Sequence, residues 1–217
     1  LIKKSLVLPF RFTTAFDEIA KLTDGKIVRQ VLMSLNKAVD IAVSNVPVFD
    51  GETLVVLDVS SSMQGKPAQI GSLFSAVLIK SNNADFMVFS DNAAYRNVNP
   101  MDSTITIANS IRFASGGTNF QAIFNTANKK YDRVVILSDM QGWVGYNAPT
   151  VQFNAYKQRV GANPFLYSFD LNGYGSMQFP EQNVFAIAGF SEKIFDIMKL
   201  MEVDKKALVN TIKQVEL

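Results

Sequence analysis

The residues of this sequence that could do chemistry begin with Asp58, Ser60 and Ser62, which supply a carboxylate and two hydroxyls at alternate positions. They follow the apolar run 54–57, Leu-Val-Val-Leu, which is typical of a buried strand. All three groups are hard oxygen donors, the kind of ligand that small hard cations such as Mg²⁺ prefer. The spacing therefore predicts part of a coordination shell at the point where a strand ends.

Two later segments can complete that shell. Thr118 follows a glycine pair at 116–117, and Asp139 comes soon after a second apolar run, 134–137. In open α/β sheets ligands bind beyond the carboxyl ends of the strands, so we expect these groups to meet Asp58 there. An open coordination position would then accept a carboxylate or phosphate oxygen from a ligand. We predict a site for Mg²⁺, with Mn²⁺ or Ca²⁺ as alternatives, formed by Asp58, Ser60, Ser62, Thr118 and Asp139.

Other interpretations of these residues stay open. A serine run after a strand is often a turn with a helix N-cap, and a strand-end aspartate is commonly a cap as well. We favour a cap or turn role for three further aspartates, Asp91, Asp132 and Asp170. A phosphate-binding glycine loop at 65–67 is less well supported, because the segment lacks the glycine spacing of such loops. Trp143 and Tyr146 could contact a partner beside the metal, or they could simply pin their own loop.

The pattern of apolar residues predicts a change of architecture near residue 50. Before it, segments 14–24 and 26–44 predict an N-terminal helical hairpin, and the second segment carries an apolar stripe at 3-to-4 spacing. After it, strands and helices alternate, which predicts a doubly wound, Rossmann-like α/β fold with a mainly parallel sheet flanked by helices. The predicted strands are 54–57, 86–89, 94–98, 134–137, 165–169 and 184–187, and the predicted helices are 67–80, 104–112, 119–130, 148–160 and 191–213.

The composition excludes several classes of chemistry. The 217 residues include no histidine and no cysteine, which removes Ser-His-Asp and Cys-His catalysis, imidazole bases, thiolate metal sites and disulfides. No apolar run approaches the roughly 20 residues that span a bilayer, and we expect a cytoplasmic protein. The net charge of +2 is too small to argue for nucleic acid by itself. Its excess lies in residues 1–50, which hold seven Lys and Arg against five Asp and Glu.

Several stretches of the sequence resemble known families. The D-x-S-x-S pattern at 58–62, followed by a lone Thr and a lone Asp, resembles the metal-ion-dependent adhesion site of von Willebrand factor A domains. The join at 45–63, with segments 116–118, 170–175 and 188–191, resembles the Ro ribonucleoprotein (TROVE) family. Members of that family combine a ring of paired helices with an A domain. The resemblance covers nearly the whole chain, and its most specific part is the metal-site pattern, which all A domains share.

The resemblance implies a domain organisation. Residues 51–217 would form a von Willebrand factor A-like domain carrying the metal site, and residues 1–50 would end a helical-repeat region. Because the sequence opens at Leu1 without an initiator methionine, we expect the C-terminal part of a longer protein. The same resemblance assigns the family's metal positions to the five residues predicted above.

The family also implies partners. Its members bind small noncoding RNA and misfolded RNA, so we expect RNA to bind through the full-length protein and only weakly to this chain alone. On chemistry alone the candidate RNA contacts are Lys3, Lys4, Arg11, Lys26 and Arg29. We expect a noncatalytic, metal-dependent binding module with no membrane partner. The alternatives are an adhesion module that binds an acidic protein side chain, and a Mg²⁺-dependent hydrolase, which would lack an obvious base.

Overall fold

A six-stranded sheet is the centre of the fold. The computed structural model describes residues 7–22, 25–142, 148–173, 178–180, 182–189 and 193–203. The strands lie in the order β3-β2-β1-β4-β5-β6, and all neighbours are parallel except β2 and β3, which form an antiparallel hairpin. The strands are β1 Thr53–Asp58, β2 Asp85–Phe89, β3 Ala93–Tyr95, β4 Arg133–Ser138, β5 Phe165–Asp170 and β6 Val184–Ala188. The doubly wound α/β fold predicted from the sequence is therefore confirmed.

Helices cover both faces of the sheet. On one face, Val55 and Leu57 of β1 pack in a core with α3, α4 and α7, while Leu54 and Val56 face a second core with α5 and α6. The helices are α1 Pro9–Ala20, α2 Lys26–Val43, α3 Lys66–Asn82, α4 Thr104–Ser110, α5 Phe120–Thr126, α6 Pro149–Val160 and α7 Ile194–Val203. Strands buried on both faces need apolar residues at every position, which explains the continuous apolar runs of the central strands.

Several helix and strand bounds differ from the predicted ones. Helix α1 begins at Pro9 rather than at residue 14. Proline fits the first helical turn because backbone N–H groups there have no acceptor within the helix, so the missing N–H of proline costs no hydrogen bond. Helices α4 and α5 end at Ser110 and Thr126, earlier than predicted, and β3 ends at Tyr95. The end of the predicted helix at 191–213 lies outside the described residues.

The N-terminal hairpin of α1 and α2 is attached to the α/β domain by polar and aromatic contacts. The carboxylate of Asp40 on α2 accepts hydrogen bonds from the backbone N and Oγ1 of Thr104, at 2.8 and 2.6 Å, and from Nζ of Lys80 at 3.1 Å. Burial raises the pKa of Asp40, but these hydrogen bonds outweigh it and leave the pKa lowered. Phe10 on α1 stacks on Phe195 of α7 with ring centroids 6.4 Å apart. Among the described residues, no helix is both long enough and apolar enough to cross a membrane.

Candidate metal centre

The predicted site lies where the chain order of the sheet reverses. Strand β1 pairs with β2 on one side and with β4 on the other, and Leu57 of β1 is in register with Leu137 of β4. Asp58 is the last residue of β1, and Asp139 directly follows the last residue of β4. Such a switch point, beyond the carboxyl ends of the strands, is the usual ligand site of open α/β sheets. The topology therefore brings the two carboxylates to the same edge.

Both oxygens of the buried Asp58 carboxylate are held by the protein. Oδ1 accepts the backbone N–H of Ser60 at 2.9 Å, and Oδ2 accepts the hydroxyl of Ser138 at 2.6 Å. The side chain is fully buried, and this burial raises the pKa of Asp58 to about 6. The hydrogen bonds from Ser138 and Ser60 lower the pKa, while the negative charge of Asp139 raises it. The hydrogen bonds therefore fix the orientation of the Asp58 carboxylate, but its burial makes ionisation unfavourable. A bound cation would stabilise the ionised form.

The three hydroxyl groups form a continuous chain. Oγ1 of Thr118 donates to Oγ of Ser60 at 3.0 Å, and Oγ of Ser60 lies 3.2 Å from Oγ of Ser62. Oxygens that share an octahedral Mg²⁺ at about 2.1 Å lie roughly 3 Å apart, so these separations suit ligands of one ion. Thr118 and Ser60 are buried, whereas Ser62 is exposed. The hydroxyl chain therefore runs from the interior to the surface.

The loop that carries Thr118 is fixed by hydrogen bonds to neighbouring segments. Ser61 donates its backbone N–H to the carbonyl of Gly116 at 3.3 Å, and its hydroxyl accepts the N–H of Gly116 at 3.0 Å. Oδ1 of Asp91 accepts the N–H of Gly117 at 3.0 Å. A Cβ atom on Gly116 would lie 2.6 Å from Oδ2 of Asp91, so a larger residue at this position would require the Asp91 side chain to move. Asp91 thus positions Thr118, beyond the turn role predicted for it.

Asp139 carries the least satisfied polar atom of the site. Its side chain is fully buried, and Oδ1 accepts the backbone N–H of Gln141 at 3.3 Å. Oδ2 has no hydrogen-bond partner within the described part of the chain. A buried carboxylate oxygen without a partner costs several kcal/mol unless an ion or a donor compensates it. The two carboxylates, one of which carries this oxygen, and the three hydroxyls fit a hard divalent cation.

The donor set also limits the kind of metal. The sequence has no histidine or cysteine, and the described residues contain no cluster of three or more acidic side chains. Metal sites built from thiolate or imidazole ligands are therefore excluded. Hydroxyl groups would supply coordinating oxygens that additional carboxylates supply in metal sites with more acidic residues. Oxygen donors of this type are the preference of Mg²⁺, Mn²⁺ and Ca²⁺.

The predicted residues divide into three groups in the structure. The five predicted metal ligands lie at one edge of the sheet, as described above. Arg11 on α1 and Lys26 and Arg29 on α2 are exposed on the helical hairpin, and no hydrogen bond or ion pair among the described residues joins them to these ligands. The predictions for Lys3, Lys4, Trp143 and Tyr146 fall outside the described residues.

Sequence reasoning did not assign Ser138 to the site. Its hydroxyl donates to Asp58 and accepts the backbone N–H of Met140 at 2.9 Å, so it links the ends of β1 and β4. A serine at the end of an otherwise apolar strand, directly before a candidate ligand, was the available signal. The sequence also did not predict that Asp91 supports the site. That role depends on a hydrogen bond from the N–H of Gly117, which lies 26 residues away along the chain.

Comparison with known proteins supports the fold rather than an identity. Neither protein families nor curated protein sequences yield a match. The crystal structure of the Ro (RSR) protein of Deinococcus radiodurans superposes with a TM-score of 0.71 at 20% sequence identity, covering 91% of this chain and 44% of that chain. The chain thus spans less than half the length of that protein.

Two further solved structures are less similar. Proximal thread matrix protein 1 from the mussel byssus, solved with a zinc-occupied MIDAS motif, has a TM-score of 0.47 at 16% identity, covering 87% of this chain and 53% of that chain. An aerotolerance-related membrane protein of Bacteroides fragilis has a TM-score of 0.45 at 15% identity, covering 70% of this chain and 97% of that chain. The architecture described above and its likeness to the Ro protein show that this chain has a doubly wound α/β fold, which it shares with that protein over most of its own length.

Proposed function

We propose that this chain is a noncatalytic binding module that uses a divalent cation, Mg²⁺ in the cell, to hold an acidic oxygen of its ligand. The observation that carries the proposal is the buried Oδ2 of Asp139, which has no partner among the described residues and lies at the same sheet edge as Asp58. Ser60, Ser62 and Thr118 supply the neutral oxygens of the shell. Asp58 and Asp139 would balance the charge of the cation.

The composition of the shell explains why the ligand would be acidic. Neutral hydroxyls donate less electron density to a cation than carboxylates do, so the ion keeps much of its attraction for a further anion. The exposed hydroxyl of Ser62 marks the side from which a carboxylate or phosphate oxygen could reach the ion. When bound, the cation supplies charge and a coordination position, while the protein supplies an arranged set of oxygens.

Hydrolysis is less well supported than binding. A metal-dependent hydrolase needs an activated water and support for the leaving group, often from a second metal or an additional base. The chain has no histidine, and the described residues offer no third acidic side chain beside Asp58 and Asp139. We therefore infer a module that retains its ligand without cleaving it. A generic phosphate ester assayed with Mg²⁺ should give no turnover above that of the Asp139→Asn variant.

The wider role that we propose is that of a Ro-like RNA-binding protein acting on small noncoding or misfolded RNA. The sequence motifs shared with that family and the likeness in fold to the Deinococcus Ro protein support it. Helices α1 and α2 would then be the end of a helical-repeat region, with residues 51–217 as the metal-binding domain. RNA would bind chiefly through the full-length protein in the cytoplasm.

Calorimetric titration with Mg²⁺ and Mn²⁺ tests the metal site. The Asp139→Asn variant keeps an oxygen that can accept the backbone N–H of Gln141 but removes the negative charge beside the cation. We therefore expect its affinity for Mg²⁺ and Mn²⁺ to fall at least about 100-fold. Asp170→Asn is the matched control, since Asp170 ends strand β5 and its Oδ1 accepts the N–H groups of Asn172 and Gly173 in a turn. Its titration should match that of the wild type.

Unfolding in EDTA distinguishes a ligand from a structural residue. If Asp139 serves a cation, replacing it by asparagine removes an uncompensated buried charge, and the free energy of unfolding in EDTA should stay constant or rise. Equal metal titrations of wild type and Asp139→Asn, or a marked loss of stability in EDTA, would refute the assignment of Asp139 as a ligand.

A further inference from the structure

A cavity adjoins the metal centre on its β2 side. It has a volume of about 330 Å³ and lies between the β2–β3 hairpin and the segment 112–114. This volume is at the lower end of the range of small-molecule pockets. The residues of its lining that bear on binding are Val59, Ser90, Asn92, Arg96, Arg112 and Phe113.

The cavity and the metal centre share their backbone walls. Val59 lines the cavity and stands between Asp58 and Ser60 in the sequence, and its carbonyl accepts the N–H of Ala114 at 2.9 Å. Ser90 also lines the cavity, and its carbonyl accepts at 2.8 Å the N–H of Asn119, the residue after Thr118. A ligand in the cavity would therefore lie beside the loops that present the metal ligands.

Two guanidinium groups supply positive charge and hydrogen-bond donors to the cavity. Arg96 and Arg112 are exposed, and within the described ranges neither side chain forms an ion pair or a hydrogen bond. The acidic side chains nearest along the chain are Asp91 for Arg96 and Asp102 for Arg112. Oδ1 of Asp91 accepts the N–H of Gly117, and Oδ1 of Asp102 accepts Nδ2 of Asn99 at 3.2 Å. Arginine presents a planar fork of donors that matches the oxygens of a phosphate, and it retains its charge at every physiological pH.

We propose that Arg96 and Arg112 form a phosphate subsite for single-stranded RNA, next to the metal-bound phosphate of the same strand. The inference rests on the proposed function, because it takes the cation as the neighbouring anion site. An RNA strand carries one charge per nucleotide, so adjacent cationic sites can hold successive phosphates. Phe113, which is half-buried in the cavity lining, offers an aromatic face for a base. An acidic peptide would use the guanidiniums but would gain nothing specific from this aromatic face.

The test measures binding of a fluorescently labelled oligouridylate of about ten nucleotides by anisotropy, in Mg²⁺ at low salt. The Arg96→Gln/Arg112→Gln double variant removes both charges while keeping side chains of similar shape. We expect its affinity to fall at least about tenfold. The slope of log K against log salt should become shallower by about 0.7 for each phosphate that is no longer neutralised by an arginine.

Two further variants control for net charge and for arginine geometry. Lys130→Gln/Lys199→Gln removes two charges from exposed lysines, one before β4 and one on α7, and should change the affinity less than about twofold. Arg96→Lys/Arg112→Lys keeps the charge but removes the planar forks, and should recover only part of the affinity. Thermal unfolding of each variant establishes that it is folded.

Metal titration of the same variants separates this proposal from the proposed function. Unchanged Mg²⁺ binding in Arg96→Gln/Arg112→Gln, with weakened RNA binding, is the expected result. Normal metal binding with equal RNA affinity in wild type and variant, or absence of RNA binding in both, would overturn the phosphate subsite alone. Competition by an oligoglutamate as strong as that by RNA would also overturn it, in favour of an acidic protein partner. Failure of the wild type to bind metal would instead overturn the proposed function.

Discussion

The hydroxyl of Ser138 donates a 2.6 Å hydrogen bond to Oδ2 of Asp58, so the last residue of β4 holds the last residue of β1. The same hydroxyl accepts the backbone N–H of Met140 and so fixes the turn that places Asp139. One side chain thus couples the positions of both carboxylates of the candidate metal centre. The site depends on the pairing of two neighbouring parallel strands as much as on its ligands.

Ser138→Ala tests this coupling. The substitution leaves one oxygen of the buried Asp58 carboxylate unsatisfied, so we expect the free energy of unfolding in EDTA at pH 8 to fall by about 1–3 kcal/mol. Because partners behind the ligands orient them, Mg²⁺ affinity should fall about 10- to 100-fold. Urea unfolding and calorimetry measure the two effects.

Ser168→Ala is the matched control for that substitution. Ser168 is a buried serine on the adjacent strand β5, and its hydroxyl has no hydrogen-bond partner among the described residues. Removing it should be close to neutral for both stability and metal binding. Equal effects of the two alanine substitutions would show that the Ser138 hydroxyl contributes nothing specific to the site.

The raised pKa of Asp58 predicts a dependence of metal binding on pH. The cation competes with a proton for this carboxylate, whose pKa is about 6, so Mg²⁺ affinity should be constant above about pH 7. Below pH 6 it should fall about tenfold for each pH unit. Calorimetric titrations across this range measure the effect, and an affinity that is independent of pH would contradict the ligand role of Asp58.

The same pKa predicts the opposite trend for stability without the cation. Asp58 has a pKa of about 6 in the folded chain and 3.8 as its ordinary value, so between these the folded protein holds a proton that the unfolded chain has lost. Its contribution to stability in EDTA is therefore complete below pH 3.8 and is lost as the pH rises through 6. Asp58→Asn should remove this part of the pH profile of unfolding.

The sequence predicts the fold and the ligand set for identifiable reasons. Continuous apolar runs mark β1 and β4 because both are buried on two faces. Asp58 follows the first run directly, and Asp139 follows the second run after Ser138. The supporting contacts were not predictable in the same way. The bonds from Ser138 to Asp58 and from Gly117 to Asp91 join segments 80 and 26 residues apart, and neither produces a local pattern. Periodicity reports which face of an element is buried, whereas these contacts depend on which strands become neighbours.

Gly116 and Asp91 should be energetically coupled. A methyl group on Gly116 would push against Oδ2 of Asp91, and relief of that clash would break the bond from Oδ1 to Gly117. Because the exposed Asp91 side chain can rotate away, the cost of Gly116→Ala should be mainly that of the lost hydrogen bond, about 1 kcal/mol. We also expect it to weaken Mg²⁺ binding by displacing Thr118. In the Gly116→Ala/Asp91→Ala double variant the clash is absent, so its cost should be smaller than the sum of the two single costs. Simple additivity in urea unfolding would show that the two residues act independently.

Arg133 and Glu202 predict a stability effect that is separate from the metal. The guanidinium of Arg133 is fully buried, pairs with Glu202 of α7, donates to Oγ1 of Thr53 at 2.7 Å and lies 4.4 Å from the ring centre of Phe49. Glu202→Ala leaves this buried charge without its anion and should cost about 3–5 kcal/mol of unfolding free energy. Mg²⁺ affinity of the folded protein should not change, because this pair involves the first residue of β4, at the end opposite Asp139.

An exposed ion pair provides the control for that effect. Nζ of Lys21, the residue after helix α1, lies 2.6 Å from Oε1 of Glu18 on that helix, but both side chains are two-thirds exposed. Glu18→Ala should therefore change the free energy of unfolding by less than about 0.5 kcal/mol. Similar costs for Glu18→Ala and Glu202→Ala would indicate that burial of the Arg133 pair has no energetic consequence.

The most direct test of the central claim is the position of Mn²⁺ in crystals of this chain, located by anomalous diffraction. Mn²⁺ resembles Mg²⁺ in its preference for oxygen ligands, and its signal identifies the ion without reference to the protein. We predict one strong peak within about 2.5 Å of the hydroxyl oxygens of Ser60 and Ser62, beside Asp139. Crystals soaked to saturation that show no peak there, or a peak only at another site, would contradict the metal centre.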